Sequence, residues 1–128
     1  MFYAEFNIRL FFYLIFRKFD YVLSNDLDTL PACFFGSKIK NTNLVYDSHE
    51  LFSEGPELQG RKFVQGFWRS LEDFFLPKVK NAYTVSQSIV EFYDSKYQNK
   101  MGVIRNIPLK KDILEIVEVA FPTTKKTI

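Results

Sequence analysis

A chain of 128 residues is about one domain's worth, able to bury on the order of two thirds of its extended surface around a single core. With 47% hydrophobic and 25% charged residues it is neither disordered nor collagen-like. The 17 basic and 15 acidic residues leave a net charge of only +2, too balanced for nucleic acid to be the expected partner. Aromatics make up 18%, with 15 Phe and 7 Tyr, enough for a core with a surplus for an interface.

Residues 3–18 hold the apolar run Leu10-Phe11-Phe12-Tyr13-Leu14-Ile15-Phe16, preceded by Glu5 and Arg9 and closed by Arg17 and Lys18. The run is shorter than the roughly 20 apolar residues of a bilayer span, and Phe16-Arg17-Lys18 is not a signal-peptide cleavage site. The expectation is a mostly buried helix ending at its basic residues. Residues 19–25 then read as a buried strand. Asp28 or Thr29 can cap a helix running to about Lys40, with Pro31 in its first turn and Gly36 a mild weakness inside it. Residues 43–47 form a second strand, and residues 48–58 a loop with the turn signal Gly55-Pro56.

The longest helix is expected over residues 59–78. Phe63, Phe67, Trp68, Leu71, Phe74 and Phe75 recur at three- and four-residue spacing and give one wide apolar face for packing, not a cofactor box. Residues 81–85 are a third strand. Ser86, or Ser88 with Glu91 at capping-box spacing, starts a further helix lined inside by Ile89, Phe92, Tyr93 and Tyr97. Residues 100–105 are a fourth strand, closed by Asn106-Ile107-Pro108. Alternating strands and helices imply an α/β fold: a three-layer, Rossmann-like parallel sheet with helices on both faces.

In such a sheet ligands bind beyond the carboxyl ends of the strands. Those ends bring together Asn25, Asp26 and Asp28, then Asp47, Ser48, His49 and Glu50, then Thr84 and Ser86, then Arg105 and Asn106. His49, the single histidine, can bind a sugar hydroxyl or position a leaving group, or be a loop histidine satisfied by a neighbouring carboxylate. Asp26 and Asp28 can grip acceptor hydroxyls, and Asp28 is equally a helix cap. Asp26-Leu27-Asp28 is also the sole Asp-x-Asp pair that could hold a metal-bound diphosphate. Cys33, the single cysteine, precludes an internal disulfide and, with one histidine, a zinc site of ordinary spacing. Its apolar neighbours make it a buried thiol, not the partner of His49. Neither a dinucleotide-binding nor a P-loop glycine pattern is present among the five glycines.

Tyr46-Asp47-Ser48-His49-Glu50-Leu51-Phe52-Ser53-Glu54 resembles the N-terminal domain of family 4 glycosyltransferases of the two-Rossmann-domain, GT-B architecture. Asn25-Asp26-Leu27-Asp28-Thr29-Leu30-Pro31, Trp68-Arg69-Ser70-Leu71-Glu72, Thr84-Val85-Ser86 with Ser88-Ile89, and Val103-Ile104-Arg105-Asn106-Ile107-Pro108 extend the resemblance, in the family's order, over residues 19–108. The resemblance implies a retaining transferase that takes a sugar from a nucleotide-sugar donor, with no cofactor and no metal, onto a glycan or lipid-linked acceptor. His49 matches the family's cleft-facing histidine and is the catalytic candidate. Asn25, Asp26 and Asp28 match the acceptor-side rim, and Arg105 and Asn106 the end of the last strand as it enters the hinge; Glu50 and Ser86, at the neighbouring strand ends, join them as substrate-binding candidates.

The chain departs from the family pattern at both flanks. Only a helix precedes Phe19, and no two glutamates are eight positions apart, as the donor domain's E-x7-E motif requires. The expected organisation is a helix over residues 1–18, a partial acceptor-type domain over 19–108 and a hinge or tail over 109–128. Such a portion is inactive alone, until a donor domain or partner chain closes over it. The expected place is cytoplasmic, peripheral to the inner membrane surface in one version. A reading from another class is a non-enzymatic Rossmann-like module that dimerises, or docks on a partner, through its aromatic surplus.

Overall fold

The computed structural model describes residues 2–106. The expected hinge or tail, with Ile107 and Pro108, lies outside the described residues. Helix α1 (Phe2–Ile15) leads into strand β1 (Tyr21–Asn25), α2 (Asp26–Lys40) and β2 (Asn43–Ser48). A loop with two 3-10 turns (Phe52–Glu54 and Pro56–Leu58) precedes α3 (Lys62–Phe75), which is extended by a third such turn (Leu76–Lys78). Then come β3 (Asn81–Thr84), α4 (Gln87–Tyr97) and the short β4 (Gly102–Val103).

The four strands form one parallel sheet in the order β1-β2-β3-β4. Consecutive parallel strands joined by right-handed crossovers place every crossover helix on the same face. Leu27 and Leu30 of α2, Trp68 and Phe75 of α3 and Tyr93 of α4 accordingly share one buried cluster with Tyr46 of β2. Strand alternation sends Ser24, Tyr46 and Thr84 into this layer, all fully buried. It sends Tyr21 and Leu23 to the opposite face, where they stand exposed. The α/β class and the parallel sheet are as expected. The three-layer arrangement is not: among the described residues the helices cover one face, because the strand order never reverses.

Helix α1 lies on α2, not in the sheet layer, and this corrects the expectation of a mostly buried helix. Of its residues only Leu14 is buried, while Phe2, Phe6 and Phe12 are exposed, as is Phe16 just beyond its end. Its hold on α2 is polar as well as apolar. Pro31, six residues into α2 and not in its first turn, has no N–H for the helical ladder. One rung further on, Asn7 Nδ2 donates to the Asp28 carbonyl at 2.7 Å and the Ala32 N–H donates to Asn7 Oδ1 at 3.1 Å. The Asn7 carboxamide thus spans the two groups that an i to i−4 bond would join. Gly36 completes the contact: a Cβ there would stand 3.1 Å from Leu14 Cδ1. What reads in sequence as a weak spot is where the two helices approach.

The aromatic stripe of α3 also divides. Trp68 is 5% exposed, set edge-on to Tyr3 and Phe52 at centroid distances of 5.0 and 4.9 Å. Phe75 is buried with it, but Phe63 is 89% exposed, and Phe67 and Phe74 are about half so. The face that α3 can bury is narrower than its apolar residues, because one layer of helices gives it one side to pack. Buried Glu72, on the same helix, accepts a hydrogen bond from the Ser53 hydroxyl and pairs with Lys96 of α4 at 3.7 Å. It ties the loop, α3 and α4 together where an unpaired charge would be costly.

Trp68→Ala is expected to lower stability by about 3–5 kcal/mol in denaturant melting, as large aromatic deletions from cores do. A loss under about 1 kcal/mol would show that α3 packs otherwise. Asn7→Ala leaves a part-buried donor and acceptor without their partner and should cost about 1 kcal/mol. The same variant should strip hydrogen-exchange protection from α1 before the sheet; unchanged protection of α1 would refute the clamp.

Candidate functional site

The carboxyl ends of β1, β2 and β3 bring four side chains together. Asp26, the first residue of α2, has φ of 58°, a left-handed conformation that Asp tolerates better than most residues. From that position its Oδ1 accepts the His49 backbone N–H at 3.1 Å. The bond joins the β1–α2 turn to the loop after β2 and sets the path of the chain at His49.

Asp47 is at the centre of the group. Parallel register places it between Asn25 of β1 and Tyr83 of β3, on the face of the sheet away from the helices. Its Oδ2 accepts the Tyr83 hydroxyl at 2.8 Å and lies 3.1 Å from His49 Nε2. The Asp47 side chain is 9% exposed and that of His49 49%. A buried carboxylate facing Nε2 favours the tautomer with the proton on that nitrogen, in which Nδ1 is an acceptor. The hydrogen bond to Asp47 pushes the Tyr83 hydroxyl up from its ordinary value, so Tyr83 stays a donor through neutral pH.

The other expected site residues fall in three groups. Asp28 and Glu50 line a cavity between α1, the start of α2, the 3-10 loop and α3. The Ser48 hydroxyl donates to the Glu50 carbonyl at 2.9 Å and shapes that loop. Asn25 caps α2 by position, with no side-chain cap bond; neither Asp28 nor Thr29 is the cap, since the helix starts ahead of both. Ser86 stands at the N-cap of α4, bonded through Oγ to Ser88 Oγ at 3.0 Å. Ser88 therefore lies inside the helix, and the expected capping box with Glu91 does not start it. Arg105 and Asn106 follow β4 as exposed residues that make no side-chain hydrogen bond or ion pair with another described residue.

Cys33 is buried in α2, its thiol pushed up by burial, and no hydrogen bond joins it to His49. Among the described residues no group of three or more His, Cys, Asp or Glu is placed to hold a metal ion. No helix among them is long and apolar enough to cross a membrane.

Two features were missed in the sequence. Tyr83 reads there as a strand residue; its role follows only from the register that sets it beside Asp47. The cavity walls, Trp68 and Phe67 among them, read as part of a packing stripe. No family model, no curated protein and no solved structure matches the chain.

Asp28 supplies a pH test. Burial first, and the charge of Asp26 second, hold its carboxyl above the ordinary 3.8. The folded state therefore keeps this proton to higher pH than the unfolded state. Its contribution is full below pH 3.8 and is lost as pH rises through the folded value. Asp28→Asn should melt at or above the wild-type temperature at pH 7, with the difference shrinking as pH falls below 4. A variant less stable at pH 7 would show that the helix N-terminus outweighs burial.

Proposed function

We propose that the chain is the acceptor-side portion of a retaining glycosyltransferase, moving a sugar from a nucleotide-sugar donor to a glycan or lipid-linked acceptor. The observation that carries the reading is the half-exposed imidazole of His49. It is held from below by Asp47 and along its backbone by Asp26, at the carboxyl rim of a parallel sheet, where such folds bind ligands. The Tyr46-Asp47-Ser48-His49-Glu50 segment, and the order of the stretches that accompany it, carry the resemblance to the family, and the retaining outcome is taken from that family alone.

In this reading Nδ1 of His49 accepts a hydroxyl of the transferred sugar, and Asp47 and Tyr83 fix the ring so that the contact needs little reorganisation. Asn25 and Asp26 face the acceptor. The donor diphosphate is assigned to a separate lobe, supplied by the same polypeptide or by a partner chain, and Arg105 and Asn106 stand where the chain leads toward it. No metal and no cofactor takes part. The site lies on the cytoplasmic side, where nucleotide sugars are the expected donors.

With the donor lobe supplied, His49→Ala should lower sugar transfer or nucleotide-sugar hydrolysis at least tenfold, which corresponds to about 1.4 kcal/mol of transition-state stabilisation. A kinetically silent His49→Ala would remove the histidine from the site. A second reading, a non-enzymatic module that associates through aromatic surfaces, is favoured by the exposure of Phe2, Phe6, Phe12 and Phe63. Concentration-dependent mass in sedimentation together with a silent His49→Ala would support that reading.

A further inference from the structure

Beside the rim lies a cavity of about 750 Å³, within the range of small-molecule sites. Its walls are apolar: Phe52, Leu58, Val64, Phe67, Trp68 and Leu71, from the 3-10 loop and α3. Tyr3 and Ala4 of α1 close the far side, and the Asn7 clamp holds α1 there. The polar groups among its lining are unbalanced. Asp28, Glu50 and Glu57 are set against a single lining cation, Arg61.

The side chains of the His49 site do not line this cavity, but two of its lining residues, Asp28 and Glu50, are near neighbours of that site in sequence. Asp28 lies two residues beyond Asp26, Glu50 follows His49, and Asp26 Oδ1 joins the two segments at 3.1 Å. An apolar chamber thus opens beside a rim that already carries hydroxyl-binding groups.

We propose that this cavity binds the apolar part of a neutral amphiphile, an alkyl chain ending in a hydroxyl-rich head, with the head at Asp28 and Glu50. Resting on the reading above, the inference makes such an amphiphile the class of acceptor. Removing an alkyl chain from water into walls of Phe, Trp, Leu and Val supplies the affinity. A hydroxyl donor satisfies the partly buried carboxylate of Asp28, and the exposed Glu50 can accept a second hydroxyl. An anionic head would add charge to a lining that already carries three carboxylates against one guanidinium, and is rejected.

The probe is n-octyl β-D-glucopyranoside below its micelle concentration, followed through the fluorescence of Trp68, the single tryptophan. A saturable change is expected, with octanoate binding at least tenfold more weakly and glucose giving no change. Val64→Phe, which fills the chamber, should weaken octyl glucoside at least tenfold. If that variant does not fold, Asp28→Asn combined with Glu50→Gln should bring octanoate to within threefold of octyl glucoside. No saturable change below the micelle concentration, a change only above it, or octanoate binding as tightly as octyl glucoside in the unaltered chain would overturn the proposal. Binding is read with no donor present, so its failure is distinct from a failure of sugar transfer.

Discussion

Everything in this molecule follows from strands laid down in chain order, each parallel to the last. That order admits one helical layer. It concentrates the core around Tyr46, Trp68, Phe75 and Tyr93 and leaves the other face of the sheet to polar and half-exposed side chains. It also sends the carboxyl ends of β1, β2 and β3 to one edge, so three turns distant in sequence become neighbours. The Asp47 cluster is a product of this geometry. Its members come from the β1–α2 turn, the end of β2, the loop beyond it and β3, and only register brings them within hydrogen-bond reach.

The two faces of the sheet handle polarity differently. On the helix side the Ser48 hydroxyl donates to the Glu50 carbonyl and lies near Tyr93, and Glu72 is enclosed with Ser53 and Lys96, so these groups are committed to the fold. On the opposite side Asp47 is almost as buried, yet of the groups that cover it His49 is exposed and Tyr83 half-buried. The buried carboxylate of Asp47 thus holds the orientation of an imidazole that is itself half-exposed.

Much of the architecture was legible because local signals agreed with the fold. Short runs rich in Val, Leu and Tyr became β1, β2 and β3 within two residues of their expected limits, and the loop at Gly55-Pro56 fell where the turn signal put it. The strand-end rule brought Asp26 and His49 to one rim before any coordinates. What escaped depended on tertiary geometry. Apolar content on α1 and α3 exceeded the surface that one helical layer can cover, so Phe12 and Phe63 could not be told from Leu14 and Trp68 by period alone. The partner of Asp47 required strand order, and Asn7 gives no sign in sequence that it will bridge a rung beside a proline. Arg105 and Asn106 were placed at a strand end, but nothing in the described residues brings their side chains to the His49 cluster.

One consequence concerns the outer margin of β1. Among the described residues no strand pairs with it, and Tyr21 and Leu23 stand beside it with their rings and methyls in water. An uncapped ladder is a template: any extended, β-prone stretch can be added to it by main-chain bonds alone. Association of the purified polypeptide through this margin should therefore rise with its concentration, each added strand exposing a fresh margin for the next.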